Sequence, residues 1–217
     1  MNIGIVCYAS LGGSGVVATE LAHALAHRGH EVHLISSDEP FRWRDGVPRL
    51  SFERVETPAY PLFREPQYLL ALATAMVRLS RDHRLDIVHA HYAVPHATAA
   101  YLAGQILAAD GGPAPPRMLT TLHGTDITLV GREPSYTRVV AFSIEQSHGV
   151  TAVSASLRSD TSAAIVSVRR LLDTAVTPCD CSIENATTRA YEGSLPTSVM
   201  SVPCSVVSIR GWFVPGL

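Results

Sequence analysis

From Ile3 to about Thr161 the chain alternates short apolar runs with amphipathic stretches, and that alternation leaves few folds open. Runs of about four to eight aliphatic and β-branched residues suit strands, while apolar residues spaced three and four apart mark helix faces. Strands are expected at Ile3–Tyr8, Glu31–Ser36, Leu50–Val55, Asp86–Ala90, Met118–Leu122 and Val150–Val153. Between them Val16–Arg28 reads as a helix with Val17, Leu21, Ala24 and Leu25 on one face and Gly29 as its stop. Tyr68–Arg81 reads as a helix burying Leu69, Leu72, Met76 and Leu79, Pro95–Ala108 as a helix opened by proline, and Tyr136–Gln146 as the last. Strands this apolar need cover on both faces. The fold class expected is therefore α/β, a Rossmann-like doubly wound parallel sheet over residues 1–161.

Composition narrows what such a domain can do. The 17 basic and 19 acidic residues leave a net charge of −2, which excludes a general polyanion binder and a nucleic-acid partner. Every basic residue is arginine, so a Schiff-base or Walker lysine is excluded. The start Met1-Asn2-Ile3-Gly4-Ile5-Val6 lacks the positive region of a signal peptide, and no apolar run approaches the ~20 residues of a membrane span. A soluble cytoplasmic protein is expected. Four cysteines without paired spacing in the body of the chain do not suggest a disulfide scaffold.

The pattern breaks near Thr161. All ten histidines precede residue 149, while Cys179, Cys181 and Cys204 lie in a segment, 162–217, without sustained period of 2 or 3.6. A domain selected to fold keeps local pattern and global fold consistent. The tail is therefore expected to be irregular, through a shifted reading frame near codon 162 or an unrelated fused segment.

In a doubly wound sheet ligands gather at the carboxyl ends of the strands, and four clusters fall there. Gly12-Gly13-Ser14-Gly15 lets backbone pass close to a ligand and enter a helix whose first N–H groups favour a phosphate or carboxylate; a tight turn is the bland alternative. A dinucleotide reading would use Asp38, but the spacing departs from G-x-G-x-x-G. His89 and His91 share a strand face. With His96 and His123 they could make a zinc site, or pack, or offer one imidazole to a ligand beside Tyr92. His123-Gly124-Thr125-Asp126 brings an imidazole, a hydroxyl and a carboxylate together, although Asp126 could simply cap a helical turn. Ser154-Ala155-Ser156 is the fourth cluster. Arg138, Arg132 and Arg64 could fork a carboxylate or lie solvated on the surface.

Together the runs Gly12-Gly13-Ser14-Gly15-Val16-Val17, His89-Ala90-His91-Tyr92-Ala93-Val94-Pro95-His96-Ala97, Thr120-Thr121-Leu122-His123-Gly124-Thr125-Asp126-Ile127-Thr128, Ser143-Ile144-Glu145 and Val150-Thr151-Ala152-Val153-Ser154 resemble the amino-terminal half of a family 4 glycosyltransferase. The resemblance covers about residues 1–161, and the two histidine-bearing stretches are its most specific parts. It implies a GT-B architecture, two Rossmann-like domains with the active site between them, the first holding the acceptor. Within the family the likeness is nearest to members that transfer N-acetylglucosamine from UDP-N-acetylglucosamine to the hydroxyl of L-malate with retention, in bacillithiol biosynthesis. That implies no metal and no cofactor beyond the donor substrate, with a nucleotide sugar and malate as small-molecule partners; a homo-oligomer stays open. By match to the motifs, Gly13 and Ser14, flanked by Gly12 and Gly15, would meet the diphosphate or malate. Tyr92, Thr125 and Arg138 would meet malate. His123 would lie by the transferred sugar as the catalytic residue, and Asp126 and Ser154 would complete the binding set.

The family's donor domain, with a Glu-x7-Glu motif and a basic pair, has no counterpart after Thr161. Glu184 and Glu192 stand at that spacing without the glycine-rich, apolar context. A truncated enzyme without turnover of its own is expected. A lipid or polyol-phosphate acceptor, or a non-catalytic acceptor-binding fragment, are the alternatives.

Overall fold

A computed structural model of the chain describes residues 1–11, 13–58, 67–160 and 205–207. Six parallel strands run in the order β3-β2-β1-β4-β5-β6: β1 (Asn2–Val6), β2 (Glu31–Ser36), β3 (Leu50–Arg54), β4 (Ile87–His91), β5 (Arg117–Leu122) and β6 (Gly149–Ala152). The helices between them are α1 (Ser14–His27), α2 (Tyr68–His83), α3 (Thr98–Ala109), α4 (Thr125–Thr128) and α5 (Pro134–Glu145). This is the Rossmann-like α/β sheet that the alternation predicts. Beyond it β7 (Ser205–Val207) pairs antiparallel with β6, a strand the period of the tail did not announce. It closes backbone groups that would otherwise be left open along β6.

The period of 2 along β1 divides two cores. Ile3, Ile5 and Cys7 pack with Ala18, Ala22 and Leu25 of α1, while Val6 joins Leu72, Met76 and Leu79 of α2 on the other face. Each fully buried Leu or Met contributes about 1.5–3 kcal/mol, which is why both faces of these strands read as apolar. A third cluster sets Val140 and Ile144 of α5 against Leu122 and Val150. Gly29, at φ +86, donates its N–H to Ala26 O while His30 donates to Leu25 O, the two-bond stop that glycine permits.

Two elements depart from expectation near the site. The helix expected to open at Pro95 begins at Thr98, preceded by a π turn over Ala93–Ala97 in which Val94 is extended (φ −124°, ψ 130°). A residue before proline is driven out of the helical region by the ring. The short turn α4 was legible only as a cap at Asp126. Its N-cap is instead Gly124, and Asp126 lies inside the turn.

Among the described residues no helix is long and apolar enough to cross a membrane.

Candidate functional site

The strand order reverses between β1 and β4, so the loops leaving their carboxyl ends diverge and open a crevice. Three of the four clusters meet around it. Tyr8 follows β1, and its ring centroid lies 5.5 Å from Tyr92 and 4.5 Å from His96. Tyr92 follows β4 and lies 5.1 Å from His123, which follows β5. Tyr92 holds φ +94°, a region that a bulky side chain enters only under constraint from its surroundings.

The constraint is visible. Asp126 is 3% exposed, and its carboxylate accepts the Ala93 N–H at 2.7 Å and the His123 N–H at 2.9 Å. It thereby ties the loop after β4 to the loop after β5. Burial pushes its carboxyl up to about 6, partly offset by those backbone donors. Expected as a substrate contact, Asp126 is placed beneath the crevice as a brace, with both oxygens occupied.

The histidines sort by depth. His89 and His91 share a face as the strand period requires, with rings 4.8 Å apart, but they are 4% and 0% exposed and neither faces a ligand. His89 Nε2 meets Thr121 Oγ1 at 2.7 Å, and His91 Nδ1 meets His123 Nε2 at 3.0 Å. His96, also buried, bonds the His91 carbonyl through Nδ1. Burial lowers all four rings: His89, His96 and His123 to about 4, and His91 well below its usual value, with neighbouring imidazoles adding to the shift of His89, His91 and His96. They are neutral at neutral pH. Only His123, partly exposed, reaches the crevice. Among the described residues no group of three or more His, Cys, Asp or Glu is disposed to hold a metal ion.

In the glycine loop Gly12 lies outside the described residues. Gly13 is the N-cap of α1 at φ +53°, where a side chain would meet no neighbour but the backbone would be strained. Gly15 is required for packing, since a Cβ there would stand 2.7 Å from Ser10 O and 2.9 Å from Tyr8 O. Its N–H is taken by Ser10 Oγ at 3.0 Å, so the helix start is less open to an anion than the loop suggests. Ser14 is 4% exposed.

The remaining expected residues lie on α4, on α5 and just after β6. Thr125 is exposed at the start of α4. Arg138 extends from α5 with its guanidinium 3.9 Å from Glu145 and more than half its side chain exposed. Ser154 caps the helical residues 155–160, its Oγ accepting the Leu157 N–H at 3.1 Å. Arg132 sits in a 3-10 turn; Arg64, Glu184 and Glu192 lie outside the described residues. Tyr8 and the His91–His123 contact were missed by sequence reasoning. An aromatic residue just past a strand, before a glycine loop, was the available signal for Tyr8; no local signal shows that His91 and His123 touch.

Residues 11–169 match the model of Glycosyltransferase Family 4. Over 161 residues the chain is 49% identical to N-acetyl-alpha-D-glucosaminyl L-malate synthase of Bacillus anthracis, covering 74% of this chain and 41% of that protein. The chain thus spans about two fifths of the curated relative it matches. A crystal structure of a glycosyltransferase from Rickettsia africae superposes with a TM-score of 0.52 at 21% identity, over 73% of this chain and 38% of that one. That likeness is one of fold.

Proposed function

The chain belongs to glycosyltransferase family 4, and from that premise we propose that residues 1–160 form the acceptor side of a GT-B enzyme that transfers N-acetylglucosamine from UDP-N-acetylglucosamine to L-malate. The observation that carries the reading is the convergence of Tyr8, Tyr92 and His123 at the switch point of the sheet, beside the glycine-capped start of α1. The choice of malate and of N-acetylglucosamine is supported by the 49% identical relative, whose name carries both parts of that product.

In the proposed reaction the bond from the anomeric carbon to the diphosphate breaks, and a bond to the malate hydroxyl oxygen forms on the same face. The hydroxyl proton passes to the departing diphosphate, so no metal or other cofactor is required. This half supplies placement: Arg138 and Thr125 for malate carboxylates, Tyr92 as a wall, His123 toward the sugar. Charge that builds on the diphosphate needs donors, and the Gly13 turn would supply part of them from this side. The rest would come from a donor domain. Both substrates are dissolved metabolites, which suits a cytoplasmic enzyme.

Titration calorimetry with L-malate and with inositol phosphate tests the reading. Malate binding without inositol phosphate binding is expected. A preference for inositol phosphate would reassign the acceptor, and silence toward both would remove the acceptor role.

A further inference from the structure

His91 is fully buried, yet among the described residues its ring is the one that His123 Nε2 meets, at 3.0 Å. Two neutral imidazoles in that contact need one N–H and one lone pair, so the proton must sit on one of the two facing nitrogens. The surroundings decide which. His91 Nε2 is buried and has no partner among the described residues. If His91 carried its proton there, an N–H would be stranded in the core while His123 Nε2–H donated to Nδ1. If His91 carries it on Nδ1, the bond to His123 is made and only a lone pair is left unpaired. Stranded buried N–H groups are the rarer defect in folded proteins.

The neighbouring ring follows the same rule. His96 Nδ1 faces the His91 carbonyl, which can only accept, so its proton is on Nδ1 and its own orphaned Nε2 is a lone pair.

We infer that His91 is a positioning residue that donates Nδ1–H to His123 Nε2 and so fixes His123 as the tautomer protonated on Nδ1, a hydrogen-bond donor toward the crevice. His123 then offers its ligand an N–H and no lone pair. The group it takes is an oxygen acceptor: a hydroxyl, a carbonyl or a carboxylate. Joined to the glycosyltransferase reading, on which this last step rests, His123 holds an oxygen of the sugar or of malate. It does not receive the acceptor proton, because its crevice-side nitrogen is already protonated.

The test needs no substrate. In the full chain labelled with 15N, two-bond spectra of the imidazoles at pH 7.5 report each ring nitrogen as protonated or bare. His123 is expected to show a protonated Nδ1 and a bare Nε2, with His91 likewise protonated on Nδ1. H91N keeps an amide N–H near the same place and should preserve the His123 pattern. H91L removes the donor and should let His123 revert to the Nε2-protonated form that free imidazole side chains prefer. A wild-type His123 protonated on Nε2 overturns the proposal, as does an unchanged pattern in H91L. The wild-type spectrum reads both rings by itself, so the answer survives a failure of H91L to fold. Adding L-malate or UDP-N-acetylglucosamine then separates the two readings: a donor tautomer whose Nδ1 signal ignores both ligands leaves the inference intact and counts against the proposed substrates.

Discussion

Each end of the sheet carries a histidine pair, and the two ends use it differently. At the carboxyl end His91 and His123 share a hydrogen bond within a group of four rings that burial keeps neutral. At the amino end the rings of His33 of β2 and His83 of α2 lie tilted at 36° with centroids 4.2 Å apart, and Ser51 Oγ lies 2.8 Å from His33 Nδ1. That pair lines an open cavity of about 610 Å³ whose rim holds Glu31 paired with Arg49 and Glu53 paired with Arg78. Burial and His83 lower His33, while Glu31 and Glu53 pull it back. At the amino end the charges on that rim are already paired and the strands run in plain register. The carboxyl end combines a constrained Tyr92, glycines at φ +53° and +105°, and a buried carboxylate spent on backbone. Positive φ alone does not separate the ends, since Arg49 beside the amino-end cavity holds φ +63°; what sets the carboxyl end apart is a buried carboxylate that ties two loops together beneath Tyr92.

Acid should separate the two ends most sharply. With folded values near 4 for His89, His96 and His123 against the usual 6.5, the unfolded chain binds more protons between those limits. Stability is then full above about pH 6.5 and is lost as the pH falls toward 4. Asp126, raised to about 6, acts in the opposite sense, but it is one carboxyl against four rings. Circular dichroism should place the acid midpoint in that window. H91N should move it to lower pH, and H33N, at a ring whose lowering Glu31 and Glu53 oppose, should move it less; equal effects would erase the contrast between the ends.

Asp126→Ala comes next. It strands the N–H groups of Ala93 and His123 at about 1–3 kcal/mol each, a loss of about 2–6 kcal/mol in urea unfolding. Ser51→Ala, which removes the partner of His33 at the other end, should cost about 1 kcal/mol or less. Comparable losses would show that the brace is no more demanding than an ordinary hydroxyl contact.

Arg138→Ala should weaken malate binding by roughly 1.5–3 kcal/mol in calorimetry, the scale of a hydrogen bond to a charged group. Its exposed pair with Glu145 should add little to stability, at most about 1 kcal/mol. Arg49→Ala, at the amino end, should leave malate binding unchanged. An unaltered dissociation constant for Arg138→Ala removes that residue from the site.

The smallest contrast lies among glycines. Gly15→Ala drives a Cβ against the Ser10 and Tyr8 carbonyls and should cost about 1–3 kcal/mol. Gly112, in the loop entering the amino end of β5, has open space and should accept alanine within about 0.5 kcal/mol. Thermal melts of both variants check this.

The strands and the long helices were legible because period 2 and period 3.6 are local: Glu31–Ser36 is bounded in the structure where the apolar run is bounded in the sequence. The glycine loop and the two histidine stretches could be assigned to strand ends for the same reason. What Asp126 does could not, since its partners are 33 residues away at Ala93 and three away at His123. A carboxylate that braces two loops has the same local surroundings in sequence as one that caps a turn. Whether His89 and His91 pack, hold a metal or face a ligand stayed open in the sequence, because alternation shows which residues share a face, but not how deeply that face is covered.

By itself the sequence determined a doubly wound sheet, the end of it where a ligand would sit, and the residue types available there, because apolar periodicity and glycine placement act between near neighbours. Only the tertiary structure decided which histidine reaches the crevice, which are sealed beneath it, and that Tyr8 stands among them. Those outcomes depend on β1, β4 and β5 lying side by side, and adjacency between strands some 30 to 80 residues apart is set by how both faces of the sheet are packed.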